Sequence, residues 1–315
     1  MTMPTRRIGS LEVSVVGLGC NNFGGRIDAG ATAAVVDAAL EAGITFFDTA
    51  DIYGATRSEQ FLGTALGWRR SEVVLATKFG MEVDPQRKGA SPAYVRQALD
   101  DSLRRLGTDH IDLYQLHAPD PATPIAETLA ALDEQVSAGK VRQIGCSNFS
   151  VEQLHEADQA VADGAARFVS VQNEFSILHR VPEHGVLAQC ERSHVAFIPY
   201  FPLARGLLTG KYRRGEPAPS GTRLARLDSE QYGRLASEAN LSAVEELAAV
   251  AEGAGRTLVE LAIAWLAGRS PVASVIAGAT SAAQVHANVA AADWVLNDDQ
   301  RAQVDAVVAP GAQLV

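Results

Sequence analysis

Short apolar runs rich in Val, Ile, Leu and Phe alternate along this chain with longer segments whose apolar positions recur at helical spacing. Eight of the short runs read as buried strands: 13–19, 44–48, 73–78, 111–117, 141–147, 168–174, 195–200 and 272–277. Between them the helical pattern covers 31–42, 58–66, 91–106, 124–138, 151–162, 240–252 and 257–267, with two closing helices from about Ser281 and Asn297. The boundaries carry their own signals. Gly43 and Gly139 stop two helices, and Ser91-Pro92 supplies an N-cap followed by proline at the first helical position.

Eight strands separated by helices, with no linker long enough to divide them, is the count of an α/β chain folded as a (β/α)8 TIM barrel, a single domain over 1–315. A doubly wound nucleotide-binding sheet is the competing architecture. It is disfavoured because Gly17, Gly19 and Gly24 do not make a G-x-G-x-x-G turn, Asn22 standing where the third glycine belongs. The segment Gly206 to Lys211 falls one residue short of a phosphate loop and is followed by Tyr212 instead of Ser or Thr.

Composition narrows the functional classes. With 47% apolar residues, a mean hydropathy near zero and a net charge of −10, the chain reads as soluble and ill-suited to nucleic acid or an anionic membrane. Glu260 interrupts the most apolar stretch, 258–267, so no membrane span is expected. The arginines in 1–10 precede no apolar core, so no signal peptide is expected either. Three widely spaced cysteines, Cys20, Cys146 and Cys190, fit reduced thiols in the cytoplasm and exclude a zinc-knuckle spacing.

Chemistry collects where a barrel places it, at the carboxyl ends of the strands. Asp48 ends the second strand with Tyr53 in the loop behind it; Lys78 ends the third, His117 the fourth, Ser147 the fifth, and Gln172 to Glu174 the sixth. Singly, each has a bland explanation as a cap, a solvated flank or a packed ring. Together, Asp, Tyr, Lys and His converge on one mouth.

At these residues the sequence resembles the aldo-keto reductase superfamily. The motifs are Phe-Asp-Thr-Ala-Asp-Ile-Tyr-Gly at 47–54, Ala-Thr-Lys-Phe-Gly at 76–80, Tyr-Gln-Leu-His at 114–117, Gly-Cys-Ser-Asn-Phe at 145–149 and Val-Gln-Asn-Glu at 171–174. Tyr200-Phe201-Pro202-Leu203, Gly206 and Gly210-Lys211 resemble the bacterial reductases and the potassium-channel β-subunit branch. The resemblance implies a barrel that binds NADPH in an extended pose and reduces a small-molecule carbonyl compound, as a monomer or a homo-oligomer. It implies a catalytic tetrad of Asp48, Tyr53, Lys78 and His117. It also implies cofactor contacts from Gly19, Cys20 and Asp48; from Ser147, Asn148 and Gln172 on the carboxamide; from Tyr200 stacked on the ring; and from Phe201, Pro202, Leu203 and Gly206. A flap at 211–226 would bring Lys211 and Arg223 to the pyrophosphate, and Gly278, Thr280, Gln284 and Asn288 would form the adenosine end.

The chemistry can be argued beside the resemblance. A carbonyl reduced by hydride leaves an alkoxide that needs a proton donor in hydrogen-bond reach. Tyr53 suits that role if a nearby Lys78 pulls its pKa toward neutrality, with Asp48 holding Lys78 and His117 orienting the carbonyl. Two departures stand out. Many relatives carry arginine at 280 or 284, where this chain has Thr280 and Gln284, so NADH joins NADPH as an admissible cofactor. Phe201 occupies a position where serine is common. Three alternatives remain open: a cofactor-sensing subunit like the channel β-subunits, an NAD-dependent sugar or alcohol dehydrogenase, and a barrel hydrolase using Asp48 and Glu174 as paired carboxylates.

Overall fold

The computed structural model describes residues 3–315; Met1 and Thr2, part of the amino-terminal stretch read above and of the domain expected over 1–315, lie outside the described residues. The chain opens with a hairpin of β1 (Thr5–Ile8) and β2 (Leu11–Ser14), followed by β3 (Val16–Gly19), α1 (Ala29–Glu41), β4 (Phe46–Asp48), α2 (Arg57–Leu66), β5 (Val74–Phe79) and α3 (Pro92–Leu106). Then come β6 (Ile111–Leu116), α4 (Ile125–Ser137), β7 (Val141–Ser147), α5 (Val151–Ala160), β8 (Phe168–Glu174), α6 (Val186–Ser193) and β9 (Ala196–Tyr200). The last third holds α7 (Ser229–Leu235), α8 (Glu238–Gly253), α9 (Leu258–Ala267), β10 (Val275–Gly278), α10 (Ala282–Val289) and α11 (Asp298–Val307).

Eight strands pair in parallel in the order β10-β3-β4-β5-β6-β7-β8-β9. The ring is closed by residues that precede β10: Phe197 N–H donates to Pro271 O at 2.6 Å and Ala273 N–H to Phe197 O at 3.0 Å. The result is the (β/α)8 barrel that the alternation of strands and helices predicts. Helix ends fall where the local chemistry puts them. Ser91 caps α3, whose last carbonyls are met at Gly107 (φ +64°), and Thr257 with Glu260 forms a capping box on α9.

The structure departs from the sequence reading at the opening strands, in two added helices and at the eighth strand. The run 13–19 is two strands, because Ser14 turns aside: its Oγ donates to Val16 O at 2.7 Å, and its N–H bonds Thr45 Oγ1 at 2.9 Å. The hairpin turns at Gly9 (φ +57°), and Ile8, Leu11 and Val13 pack with Phe46, Ala76, Leu113, Ile198 and Ile276 inside the barrel. The amino end of the barrel is thereby filled with apolar side chains, which leaves the carboxyl end for chemistry. Finally, α6 and α7 appear where no helix is expected, and the eighth strand is shorter, beginning at Val275. Among the described residues no helix is long and apolar enough to cross a membrane.

Candidate active site

At the carboxyl end of the barrel a cavity of about 570 Å³ opens. Its floor is built from adjacent strands. Asp48 ends β4 in register with Gly19 of β3 and Ala76 of β5, and Lys78 sits one residue before the end of β5, opposite Gln115 of β6. Asp48 is 2% exposed and Lys78 fully buried, so their charges need partners close at hand. The Lys78 ammonium supplies three donors and all are used: Asp48 Oδ2 at 2.5 Å, Thr49 O at 2.9 Å and Tyr53 Oη at 3.4 Å. Asp48 Oδ1 in turn accepts Gln115 Nε2 at 3.0 Å and Gln172 Nε2 at 2.9 Å. A buried ion pair of this kind holds its geometry because further hydrogen bonds, here two to Oδ1, support the carboxylate beside its cation.

Gln115 lies within the 114–117 motif, which by itself assigns it no part in the site. The signal was available, since an amide sits among apolar neighbours in the fully buried strand Ile111–Leu116. Gln172, expected toward the cofactor, lines the cavity but commits its amide nitrogen to Asp48 and Gln115 Oε1.

The electrostatics correct one expectation. Lys78 does pull the Tyr53 phenol downward, yet burial acts more strongly in the other direction, and the phenol stands above its ordinary value. Burial opposes the charge of Lys78 too, but Asp48 and Tyr53 outweigh it and the ammonium is held above its usual range. His117, next to the end of β6, packs edge-on against Tyr53 with ring centroids 5.7 Å apart. Burial, with Lys78 adding repulsion, lowers His117 to about 3, so its imidazole is neutral at physiological pH. Its Nδ1 has no hydrogen-bond partner among the described residues.

Along one wall, Asn148 (φ +62°) donates to His117 O at 2.9 Å and Ser147 Oγ at 3.2 Å, and its Oδ1 accepts Tyr200 Oη at 2.8 Å. Ser147 Oγ donates to Gln172 O at 2.7 Å. Ser147, Asn148, Gln172 and Tyr200, which sequence motifs grouped, are thus one hydrogen-bonded set. At the far rim stand Gly278, Gln284 and Asn288, while the Thr280 N–H and Oγ1 both donate to Gln284 Oε1, at 2.9 and 3.2 Å. Thr280 is the one residue of the expected adenosine end that does not line the cavity.

The roof is cationic. Lys211 and Arg223 line it as the flap reading expects, joined by Arg26 and Arg205, which that reading omits. Arg205 meets Glu174 at 3.4 Å; Arg26, Lys211 and Arg223 form no ion pair among the described residues. Burial first, and repulsion from neighbouring cations second, lower the pKa values of all three: Arg226 acts on Arg26, Arg26 and Arg223 on Lys211, and Arg26 and Arg205 on Arg223. Unpaired cations gathered over one cavity favour an anionic ligand. Gly19, Cys20, Phe201, Pro202, Leu203 and Gly206 complete the expected lining, and Asn21, Asn22, Ile52 and Met81 add to it. The loop that supplies Phe201 is strained: Phe201, Ala204 and Arg205 all have left-handed backbones, at φ +53°, +45° and +57°. Each such residue costs on the order of 1–3 kcal/mol and is usually retained for a functional reason.

Known proteins resemble this chain over most of its length. Residues 15–309 match the model of the Aldo/keto reductase family. The chain is 36% identical over 279 residues to the NADP(+) aldo-keto reductase yakc of Schizosaccharomyces pombe, covering 84% of this chain and 80% of that one. It is 35% identical to a probable voltage-gated potassium channel subunit beta of Arabidopsis thaliana, covering 90% of this chain and 89% of that one. Among solved structures it is similar to an aldo-keto reductase from Bacillus halodurans in its holo form, at 33% identity and a TM-score of 0.80 over 98% of each chain.

Proposed function

The chain belongs to the aldo/keto reductase family, and on that premise we propose that it is a single-domain reductase of aldehydes or ketones that uses NADPH, with Tyr53 as the proton donor. The observation that carries the reading is the floor of the cavity, where Lys78 Nζ joins Asp48 and Tyr53 beside a neutral His117.

The residues present fit a nicotinamide dinucleotide. Three cations without carboxylate partners among the described residues line the roof at Arg26, Lys211 and Arg223, a charge excess that a pyrophosphate would satisfy. Ser147, Asn148 and Gln172 would hold the carboxamide, Tyr200 would stack on the ring, and Gln284 and Asn288 would meet the adenosine end. Bound there, the cofactor supplies the hydride.

The chain supplies the rest. Tyr53 Oη, kept protonated by its raised pKa, donates to the carbonyl oxygen as negative charge grows on it. Lys78 faces the resulting phenolate at hydrogen-bond distance and stabilises it. Asp48, with Gln115 and Gln172, fixes Lys78 in place. The neutral imidazole of His117 orients the carbonyl without adding a second positive charge.

The test is oxidation of NADPH and of NADH across a panel of aldehydes and ketones, with Tyr53→Phe beside the wild type. We expect multiple turnovers by the wild type, and loss of turnover in Tyr53→Phe with cofactor affinity within a few-fold, since only the proton is removed. Near wild-type turnover in the variant would refute the donor assignment. A single slow oxidation of bound NADPH would point instead to a cofactor-sensing subunit.

A further inference from the structure

We propose that Phe201 is a positioning residue: its ring holds the guanidinium of Arg223, and through it the 211–226 strap, over the mouth of the cavity.

Two guanidinium groups approach the one ring. Arg205 Cζ lies 5.0 Å and Arg223 Cζ 5.1 Å from the Phe201 centroid, within cation–π range, and Tyr200 meets the same ring edge-on at 5.1 Å. The two arginines are held differently. Arg205 has Glu174 as a partner, whereas Arg223, which is half-buried, has no carboxylate within ion-pair distance among the described residues. Arg26 and Arg205 both repel it. Repulsion and desolvation would drive this side chain outward, and the face of Phe201 is the group in contact that favours a cation.

The strap has few other ties. Most of 213–221 is exposed. Arg26 Nη2 donates to Gly221 O at 3.2 Å, and on the outer side Arg214 pairs with Glu238 at 3.4 Å and Glu245 at 2.8 Å, all at exposed positions where such contacts contribute little. Tyr212 and Leu224 are buried near its two ends, and Tyr232 Oη donates to Glu216 O at 3.2 Å; no other side chain of the strap is buried among the described residues, so what lies between the two anchors is held only by such contacts. Holding the aromatic in place is costly: a bulky residue at φ +53° sits in a region that suits Gly or Asn. Backbone strain of this kind persists where contacts made by the side chain compensate for it.

The consequence for ligand binding rests on the cofactor reading above; the tether does not. If Arg223 serves the pyrophosphate, Phe201 sets how long the strap stays over the bound cofactor.

Phe201→Leu removes the ring and keeps an apolar side chain, and Phe201→Tyr restores the ring. Limited tryptic digestion of the cofactor-free protein, read at Arg213 and Arg214, reports the tether. Stopped-flow fluorescence reports NADPH release, and thermal melting confirms that each variant is folded. We expect Phe201→Leu to be cut about 5- to 30-fold faster and to release NADPH faster by a similar factor, the range that corresponds to losing one cation–π contact. Phe201→Tyr should behave as wild type, and Phe201→Leu should add nothing in an Arg223→Met background. A folded Phe201→Leu protein cut at the wild-type rate overturns the tether. Faster cutting with unchanged NADPH release overturns the link to the phosphate. Faster cutting in a protein whose wild type does not bind NADPH overturns the cofactor reading and leaves the tether standing.

Discussion

Replacing Asp51 by Asn should make the protein more stable at alkaline pH than the wild type, and less so, or not at all, in acid. Asp51 is 2% exposed, and neither of its carboxylate oxygens finds a hydrogen-bond partner among the described residues. Burial is the main cause that raises its pKa to about 7, and the buried carboxylate of Glu59 adds to it; Arg105 and Lys78 pull the other way without prevailing. Arg105 is already spent on Glu59, at 2.6 Å. The fold therefore favours neutral Asp51. Unfolding lets the proton leave near 3.8, so the unfolded chain binds fewer protons between that pH and about 7. Stability is then full below the lower value, falls as pH rises through the interval and levels off above it. The interval from 3.8 to about 7, at about 1.36 kcal/mol for each pH unit, gives a total of roughly 4 kcal/mol, of which roughly 3 kcal/mol falls between pH 5 and pH 8. Asparagine does not titrate, and the cost of its unsatisfied amide is the same at both pH values. His117, lowered to about 3, has the opposite slope but is common to both proteins and cancels in the difference. Urea unfolding of wild type and Asp51→Asn at pH 5 and pH 8 should show the variant gaining about 2–3 kcal/mol relative to wild type at the higher pH. An equal difference at both pH values would mean that Asp51 is already ionised in acid and that its surroundings stabilise the charge.

Lys78→Met should lower carbonyl reduction on the order of 100-fold or more. In the alcohol-oxidation direction, which needs the Tyr53 phenolate, its rate should rise only at higher pH than wild type, because the cation that opposes burial is gone; an unchanged pH profile with retained activity would refute the coupling. Thr280→Arg should tighten NADPH by about 10- to 100-fold in calorimetric titration while leaving NADH nearly unchanged, because only the 2′-phosphate gives the guanidinium a partner. Equal gains for both cofactors would place this segment away from the 2′ position.

Strand ends were legible because period and polarity coincide there: a buried run such as Phe46-Phe47 that stops at an acid announces both the strand and its mouth. The opening hairpin was legible in principle, since Ile8-Gly9-Ser10-Leu11 is a two-residue turn between paired apolar positions, yet the longer run 13–19 concealed the break at Ser14. Helix α6 gives a weak signal, having eight residues and one buried position, Cys190. Contacts made across the barrel could not be read at all. That Gln115 and Gln172 share one oxygen of Asp48 depends on three strands meeting, and that Arg223 lies on Phe201 depends on where a long loop returns.

The sign of the Tyr53 shift was hidden for the same reason, and it changes how the proposed chemistry is set. Proximity to Lys78 suggests a lowered phenol, but the packing that brings the lysine close also removes the water that would solvate a phenolate. The same burial and the same lysine keep His117 neutral. At neutral pH the floor thus contains one ion pair, Lys78 with Asp48, beside two uncharged groups, Tyr53 and His117. A negative charge growing on a carbonyl oxygen above Tyr53 would meet a donor that still holds its proton, backed by a cation already in place. No counter-ion has to move and no group has to change protonation before the step, which is the condition under which a preorganised site stabilises developing charge. The raised phenol therefore supports reduction across the neutral range. The reverse reaction must first remove a proton that burial retains, so oxidation of an alcohol should call for alkaline conditions.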